Sequence, residues 1–493
     1  MTEEINNLIN KPPVVVILGH IDHGKSSILE AIKDLKITEK ESGGITQHIG
    51  AYEIEHHNKK ITFIDTPGHE AFSAIRSRGA KVADIAILVI AADEGVKAQT
   101  KEAIDLIKRA GLPLIVSINK IDKPGANPEK VKRELAKGGI LVESAGGEVP
   151  SVEVSAKTGQ GITDLLELVH LVAEMENLKA DISLPAEGVI IEAYLDSKRG
   201  PTATIILNNG ILKRGDIIGT SSCIGKVRLL EDFQGRQIEK AMPSMPVVIF
   251  GFEDVPKIGE KVRLFANLKE AEDNLRPAEE KVSSVISVNP GQKILNLILR
   301  TDVLGSAEAI EEVLKELPQE KIVLRILKSK VGEIDESDVK LAKSANARIL
   351  GFRVKVNRIA ENLARREKVK IMIFDVIYDL AEGIRKLMEK IVGPEIVRVD
   401  IGKVKILAVF RREKNRQILG GKVIEGRAEA KVSVEVLRNG EVVDRGKIIN
   451  LQRNKKDTEK VLKGEECGIL YEGNIKIEEG DVLNFYTEEK IKA

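Results

Sequence analysis

The chain between residues 14 and 178 alternates between short, almost continuous apolar runs and stretches with helical periodicity. A run that is apolar at every position, such as 85–90, is typical of a strand that helices cover on both faces. This pattern predicts a mostly parallel sheet with helices on both faces. Its strands are expected at 14–18, 61–65, 85–91, 113–118 and 151–154. The polar residues 1–12 are expected to form a loose tail.

The pattern changes after residue 180. Between 181 and 267, short alternating strands are cut by turns such as Asn208-Asn209-Gly210, which indicates a small β-barrel. Residues 268–282 are charged and helix-prone and are interpreted as a linker. The stretch 283–376 returns to alternation and predicts an α/β/α sandwich. Its strands are expected near 294–299, 322–326, 348–352 and 370–374, and its helices at 306–317, 336–344 and 358–367.

A long helix and a second barrel complete the predicted architecture. Apolar residues share one helical stripe between 377 and 391, and Gly393-Pro394 is expected to end that helix. The last stretch, 394–493, alternates like a second β-barrel. The fold class is therefore a multidomain α/β and β protein. Its domains are expected at 13–180, 181–267, 283–376 and 394–493, with a linker helix at 377–393.

Composition narrows the class of protein. The 493 residues are 42% hydrophobic and 31% charged, which is a globular profile. The sequence has no apolar run long enough to span a membrane and no signal-like start, so a cytoplasmic protein is expected. Two cysteines are too few for a disulfide framework. With a net charge of +1 and 3% aromatics, contacts to RNA should come from basic patches rather than from base stacking.

The strongest chemical signal follows the first predicted strand. It is the segment Gly19-His20-Ile21-Asp22-His23-Gly24-Lys25-Ser26, which fits the phosphate-loop pattern G-x-x-x-x-G-K-[ST]. A buried strand precedes it and a helix starting with Ser27 follows, so main-chain N–H groups and the helix N-terminus form an anion cradle. Lys25 is expected to reach the β- and γ-phosphates, and Ser26 to place its hydroxyl on Mg²⁺.

Three further motifs follow predicted strands, where the loops of a parallel sheet bind ligands. They are Asp65-Thr66-Pro67-Gly68-His69, Asn119-Lys120-Ile121-Asp122 and Ser155-Ala156-Lys157. Asp65 can hold Mg²⁺ through water, and the Gly68 amide can meet a γ-phosphate. The Asp122 carboxylate can accept from N1–H and the 2-amino group of guanine, whereas adenine offers neither donor. The Ser155 loop is expected to close over the base.

Histidines are unevenly distributed. Six of the seven stand before residue 70, at positions 20, 23, 48, 56, 57 and 69. This clustering predicts that the loops around the phosphate site are polar and chemically equipped.

Together these motifs resemble those of the translational GTPases. The segment Glu41-Ser42-Gly43-Gly44-Ile45-Thr46-Gln47-His48-Ile49-Gly50-Ala51-Tyr52 is similar to the bacterial translation initiation factor two family. The resemblance covers nearly the whole chain from Pro13. It includes Arg199-Gly200-Pro201, Gly351-Phe352 and Glu466-Cys467-Gly468. The family's long variable N-terminal region has no counterpart in this sequence, so contacts made through it are not expected.

The resemblance implies roles for individual residues. Thr46 would coordinate Mg²⁺ when GTP is bound, and His69 would position or polarise the attacking water. Ile21 and Ile45 resemble the apolar pair that screens that water until the ribosome rearranges the site. The implied cofactors are GTP or GDP and Mg²⁺. The implied partners are the small and large ribosomal subunits, ribosomal RNA, formylmethionyl initiator tRNA and other initiation factors, with the protein acting as a monomer.

The final barrel is expected to hold the formylmethionyl end of initiator tRNA. Lys and Arg outnumber Asp and Glu by seven to two in 398–416 and by six to two in 447–463, which suits a phosphate backbone. By resemblance, the acceptor-end contacts fall on Arg453, Glu466, Cys467 and Gly468. Three neighbours depart from the family pattern. These are Gly421 in place of Cys, Gln452 in place of a basic residue and Asn454 in place of an aromatic one.

Other functions remain open at this point. The same motifs suit another tRNA-delivering translational GTPase, although the α/β unit and long helix before the last barrel argue against one. A metabolic enzyme would need a second acid–base or nucleophilic constellation, and 181–493 offers none. A nucleotide-gated RNA-binding scaffold with negligible turnover is the third alternative.

Overall fold

A computed structural model describes residues 8–32, 49–68, 70–275, 292–392, 395–413 and 415–491. The chain divides into two compact units, Met1–Arg385 and Lys386–Ala493. Within the described residues, no helix is long and apolar enough to cross a membrane.

The first unit begins with a six-stranded sheet in the order β3-β4-β2-β5-β6-β7. Its strands, and the pair β1–β8 beside them, are β1 (Leu8–Asn10), β2 (Val14–Gly19), β3 (Gly50–His56), β4 (Lys59–Asp65), β5 (Ile85–Ala91), β6 (Leu114–Asn119), β7 (Ser151–Glu153) and β8 (Lys179–Asp181). Every neighbouring pair in the sheet is parallel except β3–β4. The helices are α1 (Lys25–Ile32), α2 (Ser73–Val82), α3 (Ala98–Ala110), α4 (Pro128–Lys137) and α5 (Ile162–Met175).

The apolar runs explain this sheet. All six residues of β2 and all seven of β5 are buried, as expected for central strands covered on both faces. The predicted strands are confirmed, but three others, β1, β3 and β8, were missed. Edge strand β3 is only partly buried, so its sequence contains polar residues and lacks a continuous apolar run. The predicted loose tail is wrong for Leu8–Asn10, which pairs antiparallel with Lys179–Asp181.

A closed barrel follows, with the ring β12-β17-β9-β10-β16-β13 completed by β12–β13 pairing. Its elements are β9 (Glu187–Asp196), β10 (Gly200–Asn209), β11 (Leu212–Lys213), β12 (Ile217–Gly219), β13 (Ile224–Asp232), β14 (Gln237–Ile238), β15 (Lys240–Ala241), β16 (Pro246–Phe252) and β17 (Lys261–Phe265). Closure leaves the ring strands without free edges. In the segment interpreted as a linker, α6 (Leu268–Asp273) forms, and 276–291 lie outside the described residues.

The second sheet has four parallel strands in the order β19-β18-β20-β21. Its elements are β18 (Lys293–Thr301), α7 (Leu304–Glu316), β19 (Ile322–Val331), α8 (Glu336–Ser344), β20 (Arg348–Phe352), α9 (Arg358–Glu367) and β21 (Ile371–Phe374). The long helix is α10 (Ile377–Val392). The helices predicted from periodicity are confirmed here to within two residues at each end, while Gly393-Pro394 lie outside the described residues.

The second unit is a barrel whose ring β22-β29-β24-β25-β28-β23 closes through β22–β23 pairing. Its strands are β22 (Glu395–Glu413), β23 (Arg416–Glu429), β24 (Ser433–Arg438), β25 (Glu441–Arg453), β26 (Lys456–Asp457), β27 (Lys460–Leu462), β28 (Glu466–Glu472) and β29 (Val482–Ile491). The prediction of a second barrel is thus confirmed.

Candidate nucleotide-binding site

The phosphate loop leaves the sheet at Gly19 and enters α1 at Lys25. Close neighbours leave no room for a side chain at either of its two glycines. At Gly19, φ is +150° and a Cβ would lie 2.4 Å from the carbonyl oxygen of Val89. At Gly24, φ is +87° and a Cβ would lie 2.4 Å from Nδ2 of Asn119. Only glycine permits this turn, which places the loop backbone between the end of the strand and the N-terminus of α1, where anions commonly bind.

Lys25 is buried in the loop that it terminates. Its ammonium donates to the carbonyl oxygens of Gly19 at 3.1 Å and His20 at 2.8 Å. Burial lowers the pKa of Lys25 to about 8, against the opposing pull of Asp65. Gly68 lies alongside, because a Cβ there would be 2.5 Å from the Lys25 Nζ. A desolvated cation bonded to neutral carbonyls is well suited to receive an anionic ligand.

The predicted magnesium residues meet at the adjacent strand end. The Ser26 hydroxyl donates to Oδ2 of Asp65 at 2.9 Å, and Asp65 is fully buried at the end of β4. A hydroxyl and a carboxylate oxygen form the hard-oxygen donor set that Mg²⁺ prefers, so these residues fit the ion. Thr66 turns away, since its hydroxyl donates to the Ile17 carbonyl at 2.8 Å. Ile45, Thr46 and His69 lie outside the described residues.

Asn119 joins the phosphate loop to the proposed base pocket. Its Nδ2 donates to the His23 carbonyl at 3.0 Å, and its Oδ1 accepts from the Ala156 N–H at 3.1 Å. Oδ1 of Asp122 accepts from the Ser155 hydroxyl at 2.7 Å. That hydrogen bond is the main reason that the pKa of Asp122 is lowered. The exposed Asp122 is therefore a carboxylate at neutral pH, ready to accept hydrogen bonds from a base.

The loop histidines are uncharged at neutral pH. His23 is fully buried, with Nδ1 3.4 Å from the Val89 carbonyl oxygen, and burial lowers its pKa to about 4. Burial also lowers the pKa of His20. The positive charge at the loop therefore comes from Lys25 and the main-chain N–H groups rather than from imidazolium.

His56 and His57, which were also predicted to lie near the phosphate site, are far from it. In the β3–β4 register, Gly50 pairs with Asp65 at one end and His56 with Lys59 at the other. Six residues of strand separate those ends by about 20 Å. The expectation that all early histidines surround the phosphate site is therefore wrong for His56 and His57, which lie at the hairpin tip.

The sequence motifs missed supporting residues on neighbouring helices. Oε1 of Gln99 accepts from the Ile21 N–H at 3.1 Å. Buried Arg76 donates to the Pro67 carbonyl at 3.2 Å and pairs with Glu102 at 2.5 Å. Gln99, Arg76 and Glu102 belong to no short motif, so their roles appear only when the helices pack against the loops. Lys120, which the predicted base motif includes, has a left-handed conformation at φ 64° and its ammonium 3.6 Å from Glu94.

In the second unit, strand pairing brings together residues that were predicted to contact the acceptor end of tRNA. Cys467 pairs with Gly421 across β28–β23, and Gly468 pairs with Gln452 across β28–β25. The Cys467 thiol is buried, donates to the Gly421 carbonyl at 3.6 Å and has its pKa raised by burial to about 11. Arg453 is exposed and forms an ion pair with Glu465 at 2.9 Å. Strand pairing therefore places Gly421, Gln452 and the four assigned residues on three neighbouring strands, with Cys467 in the barrel core and Glu466, Gln452 and Arg453 exposed.

A P-loop GTP-binding protein of the translational class is defined by this fold and site. Three family models match the chain: the elongation factor Tu GTP-binding domain at 10–175, elongation factor G domain 2 at 185–264 and translation-initiation factor 2 at 269–385. Translation initiation factors IF-2 from Caldanaerobacter subterraneus and Dehalococcoides mccartyi are 44% and 43% identical to it over 98% and 99% of its length. The chain belongs to the translation initiation factor IF-2 family.

Other similarities concern length and structure. The IF-2 of Pelotomaculum thermopropionicum is 45% identical over 99% of the chain. The chain spans 52% of that relative, 70% of the Caldanaerobacter one and 84% of the Dehalococcoides one. The crystal structure of GDP-bound aIF5B from Aeropyrum pernix is 27% identical, with a TM-score of 0.48, covering 96% of this chain and 92% of its own.

Proposed function

We propose that this chain binds GTP with Mg²⁺ and hydrolyses GTP to GDP and phosphate when the assembled ribosome stimulates it. The observation that carries the proposal is the bonding of Asn119 to both the phosphate loop and the Ser155 loop, which holds the guanine-reading carboxylate in fixed relation to Lys25. Lys25 and the loop N–H groups bind phosphate oxygens. Ser26 and Asp65 hold Mg²⁺, which would neutralise phosphate charge. His69 orients the attacking water.

In translation, the chain would bind formylmethionyl initiator tRNA, promote its binding to the small ribosomal subunit and support subunit joining. Its contacts would include ribosomal RNA, the large subunit and other initiation factors, and it would act as a cytoplasmic monomer. Family membership supports these assignments. Hydrolysis then serves as a timer on assembly, because phosphoryl transfer asks the protein mainly for positioning and charge neutralisation.

GTP hydrolysis measured with and without 70S ribosomes tests the proposal. We expect strong stimulation for the unaltered chain. His69→Ala should cut stimulated hydrolysis by about a hundredfold, the scale of a lost positioned catalytic group, and leave GTP affinity nearly unchanged. Absence of stimulation would favour the nucleotide-gated scaffold, and equal loss of affinity and hydrolysis would make His69 a structural residue.

The tRNA assignment needs a separate test on the full chain. Protection of formylmethionyl-tRNA from spontaneous deacylation should exceed protection of unformylated methionyl-tRNA. Arg453→Gln should weaken protection, whereas Arg445→Gln, which lies outside both basic stretches, should not. Both arginines are exposed and both pair with a glutamate of this barrel, at 2.9 and 3.1 Å, so the two variants are matched. Equal protection of both tRNAs would refute formyl specificity, and equal effects of both substitutions would remove Arg453 from the site.

A further inference from the structure

The tip of the β3–β4 hairpin carries two histidines that the nucleotide site does not use. His56 ends β3, and His57 and Asn58 form the two-residue turn, with φ values of 50° and 58°. Positive φ at both turn residues is typical of a type I′ two-residue hairpin. The two imidazole rings stand edge to face, with centroids 4.1 Å apart. The turn backbone therefore fixes a pair of metal-binding side chains next to each other.

Helix α5 supplies groups to the same place. Glu167 and His170 are three residues apart on α5 and so lie on neighbouring positions of one helix face. The His170 ring stacks on the His56 ring, with centroids 5.9 Å apart and planes 12° apart. One potential ligand atom each from His56, His57 and Glu167 lie within 4.8 Å of one another. The hairpin and the helix thus converge on a single cluster.

Two ring nitrogens of this cluster have unmet hydrogen-bonding capacity. Nε2 of His56 and Nε2 of His170 are buried and lack a hydrogen-bond partner among the described residues. A buried polar atom without a partner destabilises the folded protein. Packing alone would favour an apolar side chain at such positions. Imidazoles that converge with a carboxylate are instead the donor set of zinc sites.

We propose that His56, His57 and Glu167 form a binding site for Zn²⁺ or a similar divalent transition-metal ion, with His170 holding the His56 ring in place. Ligand atoms around tetrahedral zinc lie about 3.3 Å apart, given bonds of about 2.0–2.1 Å. The separation of up to 4.8 Å in the structure must therefore shrink. His57 and Glu167 are both exposed, so rotation of their side chains can close that gap. Three protein ligands leave a fourth position for water.

The bound ion would tie the hairpin to the helix. At present an exposed ion pair, Lys59–Glu174 at 2.5 Å, joins the same two elements. Exposed ion pairs contribute little to stability. A metal bridge would be stronger, and it would brace β4, whose other end carries Asp65 in the nucleotide site. The site itself is distinct from the magnesium residues and uses nitrogen ligands that Mg²⁺ disfavours.

The experiment is a Zn²⁺ titration by calorimetry of the full chain loaded with GDP and excess Mg²⁺, which saturates the nucleotide site. One saturable zinc site is expected. His57→Asn and Glu167→Gln should each weaken zinc binding by at least about tenfold. Asparagine tolerates the left-handed turn conformation, so His57→Asn should keep the hairpin folded. Asp164→Asn removes a similar exposed carboxylate from the same helix and should leave zinc affinity unchanged.

Specific outcomes would overturn the site. One is the absence of saturable zinc binding. Another is equal zinc affinity in Glu167→Gln and Asp164→Asn. Zinc that displaced Mg²⁺ from the nucleotide would bind the unaltered chain and His57→Asn equally, which would also refute the proposal. As an independent readout, zinc should raise the thermal unfolding temperature of the unaltered chain and not that of the two ligand variants.

Discussion

The first unit contains two sheets of similar α/β architecture, one mostly and one fully parallel, which differ in how a buried cation is bound at the carboxyl ends of their strands. In the first sheet, the buried Lys25 ammonium bonds to neutral loop carbonyls. In the second, the buried Arg300 guanidinium near the end of β18 bonds to carboxylates, Asp338 at 2.7 Å and Asp335 at 2.6 Å. Asp338 is itself fully buried and also accepts from Lys328 at 2.7 Å.

The difference shows why one sheet is a candidate binding site and the other a scaffold. A buried cation that bonds to neutral carbonyl groups can still pair with an anionic ligand. A cation that is already paired with carboxylates stabilises the fold instead. In the second sheet, the Asp335–Asp338 capping box starts α8 at the residue that binds Arg300. Shared architecture therefore does not imply shared function.

The largest expected effect is at Lys25. Lys25→Ala should weaken GTP binding by about a thousandfold, because it removes a desolvated counter-charge to the phosphates. Isothermal titration with GTP measures this change, and Lys101→Ala on the exposed face of α3 is the control. The thermal unfolding temperature of Lys25→Ala should not fall, since a costly buried charge is lost. Retained GTP affinity would contradict the role given to Lys25.

Replacing Arg300 should have the opposite effect to replacing Lys25: it should lower stability and leave GTP affinity unchanged. Arg300→Leu leaves Asp338 buried with one fewer cation and should destabilise the protein by about 3 kcal/mol. Urea unfolding measures the loss. Arg325→Leu, on an exposed position of neighbouring β19, should cost much less, and GTP affinity should stay the same in both variants. Weakened GTP binding in Arg300→Leu alone would mean that the second sheet influences the site directly.

Asp122 should decide which base is bound. Asp122→Asn replaces two acceptors by one donor and one acceptor, so preference should move from GTP toward xanthosine triphosphate, whose 2-oxo group accepts where guanine donates. The ratio of the two affinities should change by about a hundredfold, as expected for about 3 kcal/mol of hydrogen bonding. Competition binding measures the ratio, with the exposed helical Asp105→Asn as control. An unchanged preference would show that Asp122 does not read the base.

The smallest effect expected is a difference in acid sensitivity. His23 has a pKa of about 4 in the folded chain against 6.5 unfolded, so between those pH values the unfolded state binds the extra proton. Stability should therefore fall by about 2 kcal/mol as pH drops from about 7 to about 5. His23→Asn should flatten this part of the profile in urea unfolding at several pH values. Equal slopes would mean that His23 is already accessible to protons in the folded chain.

The second sheet should lose stability at a lower pH than the region around His23. Although burial raises the pKa of Asp335, hydrogen bonds from Ser337 and the Asp338 N–H, with the Arg300 charge, bring it below 3.8. Its contribution is present above that value and is lost as pH falls through the folded pKa. The two regions should thus separate into two acid-sensitive windows.

Features that are local along the chain could be predicted from the amino-acid sequence. Runs of apolar residues identified β2 and β5 because burial on both faces leaves no polar position. Gly19 and Gly24 identified the phosphate loop because no other residue fits its turn. Periodicity located α8, α9 and α10 because one helix face repeats every three to four residues.

Contacts between residues that are distant along the chain depend on how the elements pack, and they could not be predicted. Half-buried β3 and the short β1 depend on partner strands rather than on their own composition, so neither stood out. Gln99 reaches Ile21 only because α3 packs beside the loop, and Arg300 finds two carboxylates only when α8 starts over β18. His56 and His57 were assigned to the phosphate site by closeness in sequence. The extended β4 strand carries them to the other end of the sheet, against His170, because a strand gains about 3.3 Å with every residue.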